Sequence, residues 1–350
     1  MKISVIGAGY AGFCTAVGFA LKGYRVQCVD IDEKKVSAIN SGSAPIYEKG
    51  IEPALKSALK RGLMSASASI DSSSDIFFIA VQTPSKGNGI DLSYVRNVTK
   101  NLVRSLKSGR GYKLVVMKST VLPGTTEKII RIMENSGKMA GRDFGVAVNP
   151  EFLREGSALE DFLKPDRIII GEYDGRSGDV LAKIYRVFNA PIIRTTLRTA
   201  EMIKYASNAF LATKISFTNE IGNYCKQLGI DTYAVADGMG LDKRIGRPFL
   251  NSGIGFGGSC LPKDTEALAK AGGLRLLKSV MNVNENQPLR IVELLENRIN
   301  KIKGKRIAVL GLSFKAGTDD IRSAPSIKII RALLEKGATV VAYDPKTMNN

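Results

Sequence analysis

There is no histidine among the 350 residues, which removes the Ser-His-Asp and Cys-His catalytic arrangements and most zinc chemistry in one step. Any acid or base in this chain is therefore an Asp, Glu, Lys, Cys or a water molecule. Long apolar runs are missing as well. Stretches such as Ile76-Phe77-Phe78-Ile79-Ala80-Val81 fall far short of the roughly 20 apolar residues that a membrane span needs. The start Met1-Lys2-Ile3-Ser4-Val5-Ile6 runs directly into a strand pattern and leaves no room for a signal peptide. A cytoplasmic protein with no membrane partner is expected. Cysteine is sparse: Cys14, Cys28, Cys225 and Cys260 include no C-x-x-C pair, so neither a disulfide framework nor a metal site is expected. Lys plus Arg number 51 against 33 Asp plus Glu, a net charge of +18. The basic residues are scattered, with no basic tail and no strip of interleaved aromatics, so the pattern reads as a diffusely basic surface and no nucleic-acid partner is expected.

What is present centres on Gly253-Ile254-Gly255-Phe256-Gly257-Gly258-Ser259-Cys260-Leu261-Pro262-Lys263-Asp264. Glycines at this density make sense where backbone must bend sharply or approach a ligand closely. A thiol placed among them, with a cation and a carboxylate just behind, is presented for chemistry. Cys14, Cys28 and Cys225 instead fall within regular helix or strand patterns, where a cysteine is usually a small buried hydrophobe.

At this length two or three domains are expected. Lys2 to Ile6 reads as a strand, Gly7-Ala8-Gly9-Tyr10-Ala11-Gly12 as a glycine turn, the apolar stretch to Leu21 as a helix, and Tyr24 to Val29 as a second strand ending at Asp30. This is the dinucleotide fingerprint in its proper context, with the helix N-terminus facing the pyrophosphate. An acid at position 30 accepts from a ribose 2′-OH and repels a 2′-phosphate, so NAD is expected over NADP. Further strands close on polar residues: Asp75 to Val81 before Thr83, Lys113 to Met117 before Thr120, and Gly145 to Val148 before Glu151. Open α/β sheets bind ligands at that edge.

From Thr199 to about Gly229 the pattern is one long helix on which Lys204 and Asn208, four apart, share a face. Such a helix suits a spine and a dimer contact. After the cysteine loop, Asp264 to about Lys270 and Leu274 to about Asn300 read as helices, the second broken by Pro288. Lys305 to Gly311 then echoes Lys2 to Gly7, and Lys336 to Asp344 echoes Lys22 to Asp30, so a second nucleotide-type βαβ unit is expected. Its different turn, Gly311-Leu312-Ser313-Phe314-Lys315-Ala316-Gly317-Thr318, points to a ligand other than NAD. One such unit is thin, and further residues beyond Asn350 or a partner surface are expected to complete it.

These residues resemble the UDP-glucose/GDP-mannose 6-dehydrogenase family. The carriers are Gly7 to Gly12 with Asp30, Lys118-Ser119-Thr120-Val121, Asn149-Pro150-Glu151-Phe152-Leu153-Arg154-Glu155-Gly156, Lys204 with Asn208, Gly255 to Asp264, and Phe314-Lys315 through Arg322. The resemblance implies an α/β chain in three parts. A Rossmann-like, doubly wound NAD-binding domain would span 1–198, a central helical domain with the cysteine loop and dimer contact 199–300, and the start of a Rossmann-like UDP-binding domain 301–350. The implied reaction is a four-electron oxidation of a nucleotide sugar, UDP-glucose, at the expense of two NAD. Cys260 would form a thiohemiacetal and then a thioester, Lys204 and Asn208 would stabilise oxyanions, Asp264 and Thr120 would position water, and Glu151 would serve as acid or base. Cofactor contacts implied in the same way are Gly7, Gly9, Tyr10, Ala11, Gly12, Asp30, Lys35, Thr83, Thr120, Glu155, Lys263 and Arg322. Substrate contacts would be Glu151, Leu153, Lys204, Asn208, Phe249, Asn251, Gly257, Phe314, Lys315 and Arg244, the last reaching the neighbouring subunit of a homodimer or larger assembly. The alternatives are a GDP-mannose 6-dehydrogenase, a non-catalytic NAD-binding protein on the same fold, and a two-electron hydroxy-acid dehydrogenase.

Overall fold

The computed structural model describes residues 1–86, 89–108 and 111–348. Two compact units meet within one helix, the first running from Met1 to Lys204 and the second from Tyr205 to Asn350.

In the first unit the chain alternates strand and helix: β1 (Lys2–Ile6), α1 (Tyr10–Leu21), β2 (Arg25–Val29), α2 (Glu33–Asn40), α3 (Ile51–Lys60), β3 (Met64–Ser67) and β4 (Ile76–Ile79). A short antiparallel pair, β5 (Ser85–Lys86) and β6 (Gly89–Ile90), precedes α4 (Ser93–Ser108), β7 (Lys113–Met117), α5 (Thr125–Glu134), β8 (Phe144–Val148), α6 (Ala158–Leu163), β9 (Ile168–Glu172), α7 (Gly175–Tyr185) and β10 (Ile192–Thr196). The strand order β10-β9-β8-β7-β4-β1-β2-β3 makes one sheet of 8 strands. Every pairing is parallel except β8 with β9. The central strands are almost wholly apolar because helices cover both faces, as a parallel sheet requires. On one face Ile3, Val5, Phe78 and Val116 pack with α1 around Phe13 and Phe19. On the other, Ile6, Phe77, Ile79 and Val115 pack with Leu102 and Leu106 of α4 and Ile129 of α5. The chain winds from β1 through β2 to β3 and then returns to place β4 on the far side of β1. That reversal opens the strand-end crevice in which such sheets bind ligands.

The helix α8 (Leu197–Gln227) is 31 residues long and carries the chain from the first unit into the second. There α9 (Thr232–Gly240), α10 (Leu261–Gly272), α11 (Arg275–Ile299), β11 (Arg306–Leu310), α12 (Pro325–Glu335) and β12 (Thr339–Tyr343) follow. β11 and β12 pair in parallel. One face of this ribbon packs against α11 and α12 through Val292, Ile302, Ile329 and Leu333, while Leu310, Val341 and Tyr343 on its other residues are exposed.

One expectation needs correction. Pro288 does not break its helix: α11 runs through it, with Pro288 itself and Val292 buried. Proline removes the N–H that would bond the carbonyl of Asn284, and a Cβ on Gly255 would stand 3.5 Å from that carbonyl, so this part of the helix faces loop backbone. The sequence reading also passed over β3, β9 and β10, which extend the sheet at both edges. Among the described residues no helix is long and apolar enough to cross a membrane.

Candidate active site

In the first unit the glycine turn is built as the spacing predicts. Gly7 has φ +108° and donates its N–H to the Val29 carbonyl at 2.7 Å. A Cβ there would lie 2.5 Å from the Ala80 carbonyl oxygen on β4's end, so the turn is wedged into the sheet reversal. Gly12 is required by packing, since its Cβ would fall 1.9 Å from the Gly7 oxygen. Gly9 differs, with nothing within 4 Å of where its Cβ would be. It is the N-cap of α1, with no side chain capping the helix. An open backbone surface at an uncapped helix N-terminus fits a pyrophosphate.

Asp30 accepts the Ala8 N–H at 2.7 Å on Oδ2 and the Asp32 N–H at 3.0 Å on Oδ1. An ionised carboxylate has about four acceptor positions, so two remain for ribose hydroxyls. Lys35 stands 3.9 Å from Asp30 Oδ2. Tyr10 donates its hydroxyl to the Tyr47 carbonyl, and Thr83 donates to the Thr120 carbonyl at 3.0 Å. The residues present therefore fit a dinucleotide. Glu155 lies in the turn before α6, and that turn is held by a residue the sequence reading missed: Glu48 accepts from Gly156 at 2.8 Å and from Ala158, the first residue of α6, at 3.0 Å.

The same unit holds a buried charge cluster. Lys204 Nζ is 3.2 Å from Glu151 Oε1, both side chains almost out of solvent, and lies 5.4 Å from the Phe152 ring centroid. The Leu153 N–H donates to Glu151 Oε2 at 2.6 Å. Burial would raise the Glu151 carboxyl, but the Lys204 ammonium, this N–H and the charge of Lys118 outweigh it and hold the group below its ordinary value. Glu151 is thus a carboxylate. Lys118, quoted above only as part of a motif, is itself buried and donates to Asn149 Oδ1 at 2.9 Å, beside the Tyr185 hydroxyl on the same oxygen. Burial pulls Lys118 down to about 8, with Lys204 adding to the fall and Glu151 opposing it. No spacing rule couples positions 118, 149, 151, 185 and 204; the parallel order of β7 and β8 and the start of α8 do so.

In the second unit Cys260 is the N-cap of α10. It is the one cysteine not buried, and Ser259 Oγ lies 3.6 Å from its sulfur. One turn into the helix, Asp264 is 1% exposed. Its Oδ2 accepts from Asn208 Nδ2 at 2.7 Å and its Oδ1 from Lys263 Nζ at 2.5 Å. Asn208, Lys263, Asp264 and Cys260 are thus brought together by the packing of α8 on α10. Gly257 and Gly258 run against the segment before α12. The Gly258 N–H donates to the Arg322 carbonyl at 2.8 Å, and a Cβ at Gly257 would lie 2.5 Å from the Ser323 oxygen and 2.9 Å from Phe314 Cβ. Arg322 is clamped by Asp320 at 2.6 Å, and Lys315 Nζ lies 5.7 Å from the Phe314 centroid. Arg244, Phe249 and Asn251 sit on an exposed stretch, with Arg244 held at 2.6 Å by its neighbour Asp242 and Phe249 at φ +67°. Leu153 packs at the edge of the first unit's core.

Known proteins match nearly the whole chain. A UDP-glucose 6-dehydrogenase of Haloferax volcanii is 46% identical over 100% of this chain and 84% of its own length. A GDP-mannose 6-dehydrogenase of Pseudomonas putida is 42% identical over 98% of this chain and 81% of its own. The solved structure of a UDP-glucose dehydrogenase from Pyrobaculum islandicum superposes with a TM-score of 0.95 at 46% identity, covering 99% of this chain and 82% of that one. The NAD binding domain described for the UDP-glucose/GDP-mannose dehydrogenase family matches residues 1–189, its central domain 198–286 and its UDP binding domain 308–350. With an accessible thiol capping one helix and a dinucleotide turn opening another, the chain belongs to the UDP-glucose/GDP-mannose dehydrogenase family.

Proposed function

We propose that this chain is a NAD-dependent nucleotide-sugar 6-dehydrogenase that oxidises the C6 alcohol of UDP-glucose to the acid of UDP-glucuronate through a thioester on Cys260. The observation that carries the reading is the placement of that thiol at the N-terminus of α10, next to a buried Asp264 whose two oxygens accept from Asn208 and Lys263. A helix N-terminus favours the thiolate, which is the nucleophile.

The Gly7–Gly12 turn, Asp30 and Lys35, with Thr83, Thr120, Glu155, Lys263 and Arg322 as further contacts, would hold NAD, and two NAD in succession would each accept one hydride. In the first oxidation a water held by the Lys204 ammonium takes the hydroxyl proton, and the ammonium stabilises the developing alkoxide. Cys260 Sγ adds to the aldehyde carbon to give a thiohemiacetal, whose oxidation leaves the thioester. Asn208 spends one amide N–H on Asp264 and keeps the other for the sugar oxygen. Glu151, held as a carboxylate, serves as the base that activates water for hydrolysis. Asp264 positions Asn208 and Lys263, and Thr120 assists in placing the water. Leu153, Phe249, Asn251, Gly257, Phe314 and Lys315 contact the nucleotide sugar.

The exposed Phe210, Phe217 and Tyr224 recur every seven residues along α8. That stripe supports a homodimer through the helix, in which the exposed Arg244 reaches the neighbouring substrate. We place the reaction in the cytoplasm, where both NAD and nucleotide sugars are at hand. The test is the NADH formed per UDP-glucose consumed. Two are expected, with Cys260→Ala restricted to a slow, reversible first oxidation. Turnover with GDP-mannose and none with UDP-glucose would reassign the substrate, and a Cys260→Ala enzyme still forming two NADH at the parent rate would sink the thiol mechanism.

A further inference from the structure

The glycine-rich segment that ends in Cys260 is gripped by amide side chains from two helices, and the grip is more elaborate than holding a loop requires. Asn284 of α11 forms a two-way pair with one residue of the segment: its Oδ1 accepts the Phe256 N–H at 2.7 Å and its Nδ2 donates to the Phe256 carbonyl at 2.9 Å. Three residues earlier Gly253 is held in the same two-way fashion. Its N–H donates to Asn219 Oδ1 of α8 at 2.7 Å, and its carbonyl accepts from Gln287 Nε2 of α11 at 2.8 Å. Asn223 Nδ2 donates in turn to Gln287 Oε1 at 2.8 Å, which fixes the orientation of that amide.

The neighbouring residues are shaped to this contact. Gly255 has φ +105° and approaches Asn284 so closely that a Cβ would stand 3.0 Å from Oδ1. Pro288 is four residues after Asn284 and has no N–H to give the Asn284 carbonyl. The proline thus falls in a part of the helix along which the glycine segment lies. Phe256, the residue that Asn284 holds, is buried with Ala212 of α8 and Val280 of α11. From there the chain has only Gly257, Gly258 and Ser259 before the sulfur-bearing residue.

We propose that Asn284 is a positioning residue for Cys260: through its paired hydrogen bonds to Phe256 it sets where the thiol stands when the aldehyde arrives. The inference rests on the reading of Cys260 as the nucleophile. All the groups of the grip are neutral amides, so its action is geometric and does not titrate. A nucleophile displaced by about an ångström loses on the order of 10²-fold in rate while binding is untouched.

The experiment compares the parent enzyme, Asn284→Ala and Asn284→Asp, all at a temperature well below their melting points. Asn284→Asp keeps the acceptor for the Phe256 N–H but turns the donor into an oxygen facing the Phe256 carbonyl. Three readouts are taken on each: kcat against KM for UDP-glucose, NAD affinity by titration, and the rate of Cys260 alkylation by iodoacetamide followed by mass. The other three cysteines are buried, so the alkylation reports on Cys260. Both variants are expected to lose about 10²-fold in kcat with NAD affinity and KM unchanged, and to alkylate at an altered rate. Activity and alkylation equal to the parent in either folded variant would overturn the proposal. So would an activity loss that only follows a lowered melting temperature, or failure of both variants to fold, since each makes the grip a device of stability. A parent enzyme that forms no NADH from UDP-glucose, yet whose Cys260 alkylation responds to Asn284, would instead strike the reading of function and leave the positioning intact.

Discussion

The chain builds the same strand–turn–strand geometry twice and puts an aspartate at the end of each second strand, yet the two aspartates do different work. At the N-terminus Gly7 donates to Val29 at 2.7 Å; in the second unit Gly311 donates to Tyr343 at 2.8 Å. Ala8 N–H bonds Asp30 and Leu312 N–H bonds Asp344 in matching positions. There the likeness stops. Asp344 also accepts from Ser313, Lys346 and Thr347, two donors on each oxygen, which fills the carboxylate and holds it far below its usual range. Asp30 has room left. The helix differs as well: α1 starts at Tyr10, at the turn itself, whereas α12 starts at Pro325, well past Gly311. An acid after the second strand therefore speaks for a ribose only when its acceptor capacity is not spent on the backbone.

The contrast can be broken hardest at Gly12. Gly12→Ala must fit a Cβ 1.9 Å from the Gly7 oxygen and 3.1 Å from Ala80 Cβ, and is expected to destabilise the first unit by about 3 kcal/mol or more. Gly9→Ala meets nothing in the protein, so it should melt with the parent and lose NAD binding. Melting curves and an NAD titration of the two variants separate a glycine the fold needs from one the ligand needs, and equal melting of both would refute the distinction.

Asp344→Ala comes next, expected to cost the second unit about 2 kcal/mol by orphaning four N–H groups. The folded pKa of Asp344 lies below its ordinary 3.8. Its stabilisation is therefore complete above that value and is lost as pH falls toward the folded one. Urea midpoints measured from pH 6 down to 3 should fall more steeply in the parent than in the variant.

The smallest effect sharpens the other side. Asp30→Ala should weaken NAD by about tenfold, near 1.4 kcal/mol, and improve the relative use of NADP. A parent enzyme that uses both cofactors equally would remove Asp30 from the ribose.

Much of this was legible in the sequence because it is local. Gly7, Gly12 and Asp30 declare themselves by spacing, and the long helix through Lys204 and Asn208 by its unbroken period. Cys260 stood out by its glycine neighbours. The partners of these residues were not legible. The expectation that Asp264 places water came without its neighbours: its oxygens accept from Asn208 and Lys263, a pairing that exists only because α8 packs on α10. Lys118, Asn149 and Tyr185 meet through strand order. Pro288 misled because a helix-breaking rule knows the missing N–H and not the loop beside the Asn284 carbonyl.

One consequence of the thiol arrangement concerns wear. Cys14, Cys28 and Cys225 are sealed in the interior, so an oxidant such as peroxide meets Cys260 first. With the other thiols sealed away, the sulfenate has no accessible resolving cysteine to trap it as a reversible disulfide, and further oxidation carries it to the irreversible sulfinate. An ageing preparation would lose its active centres one by one while every folded-state signal stayed intact.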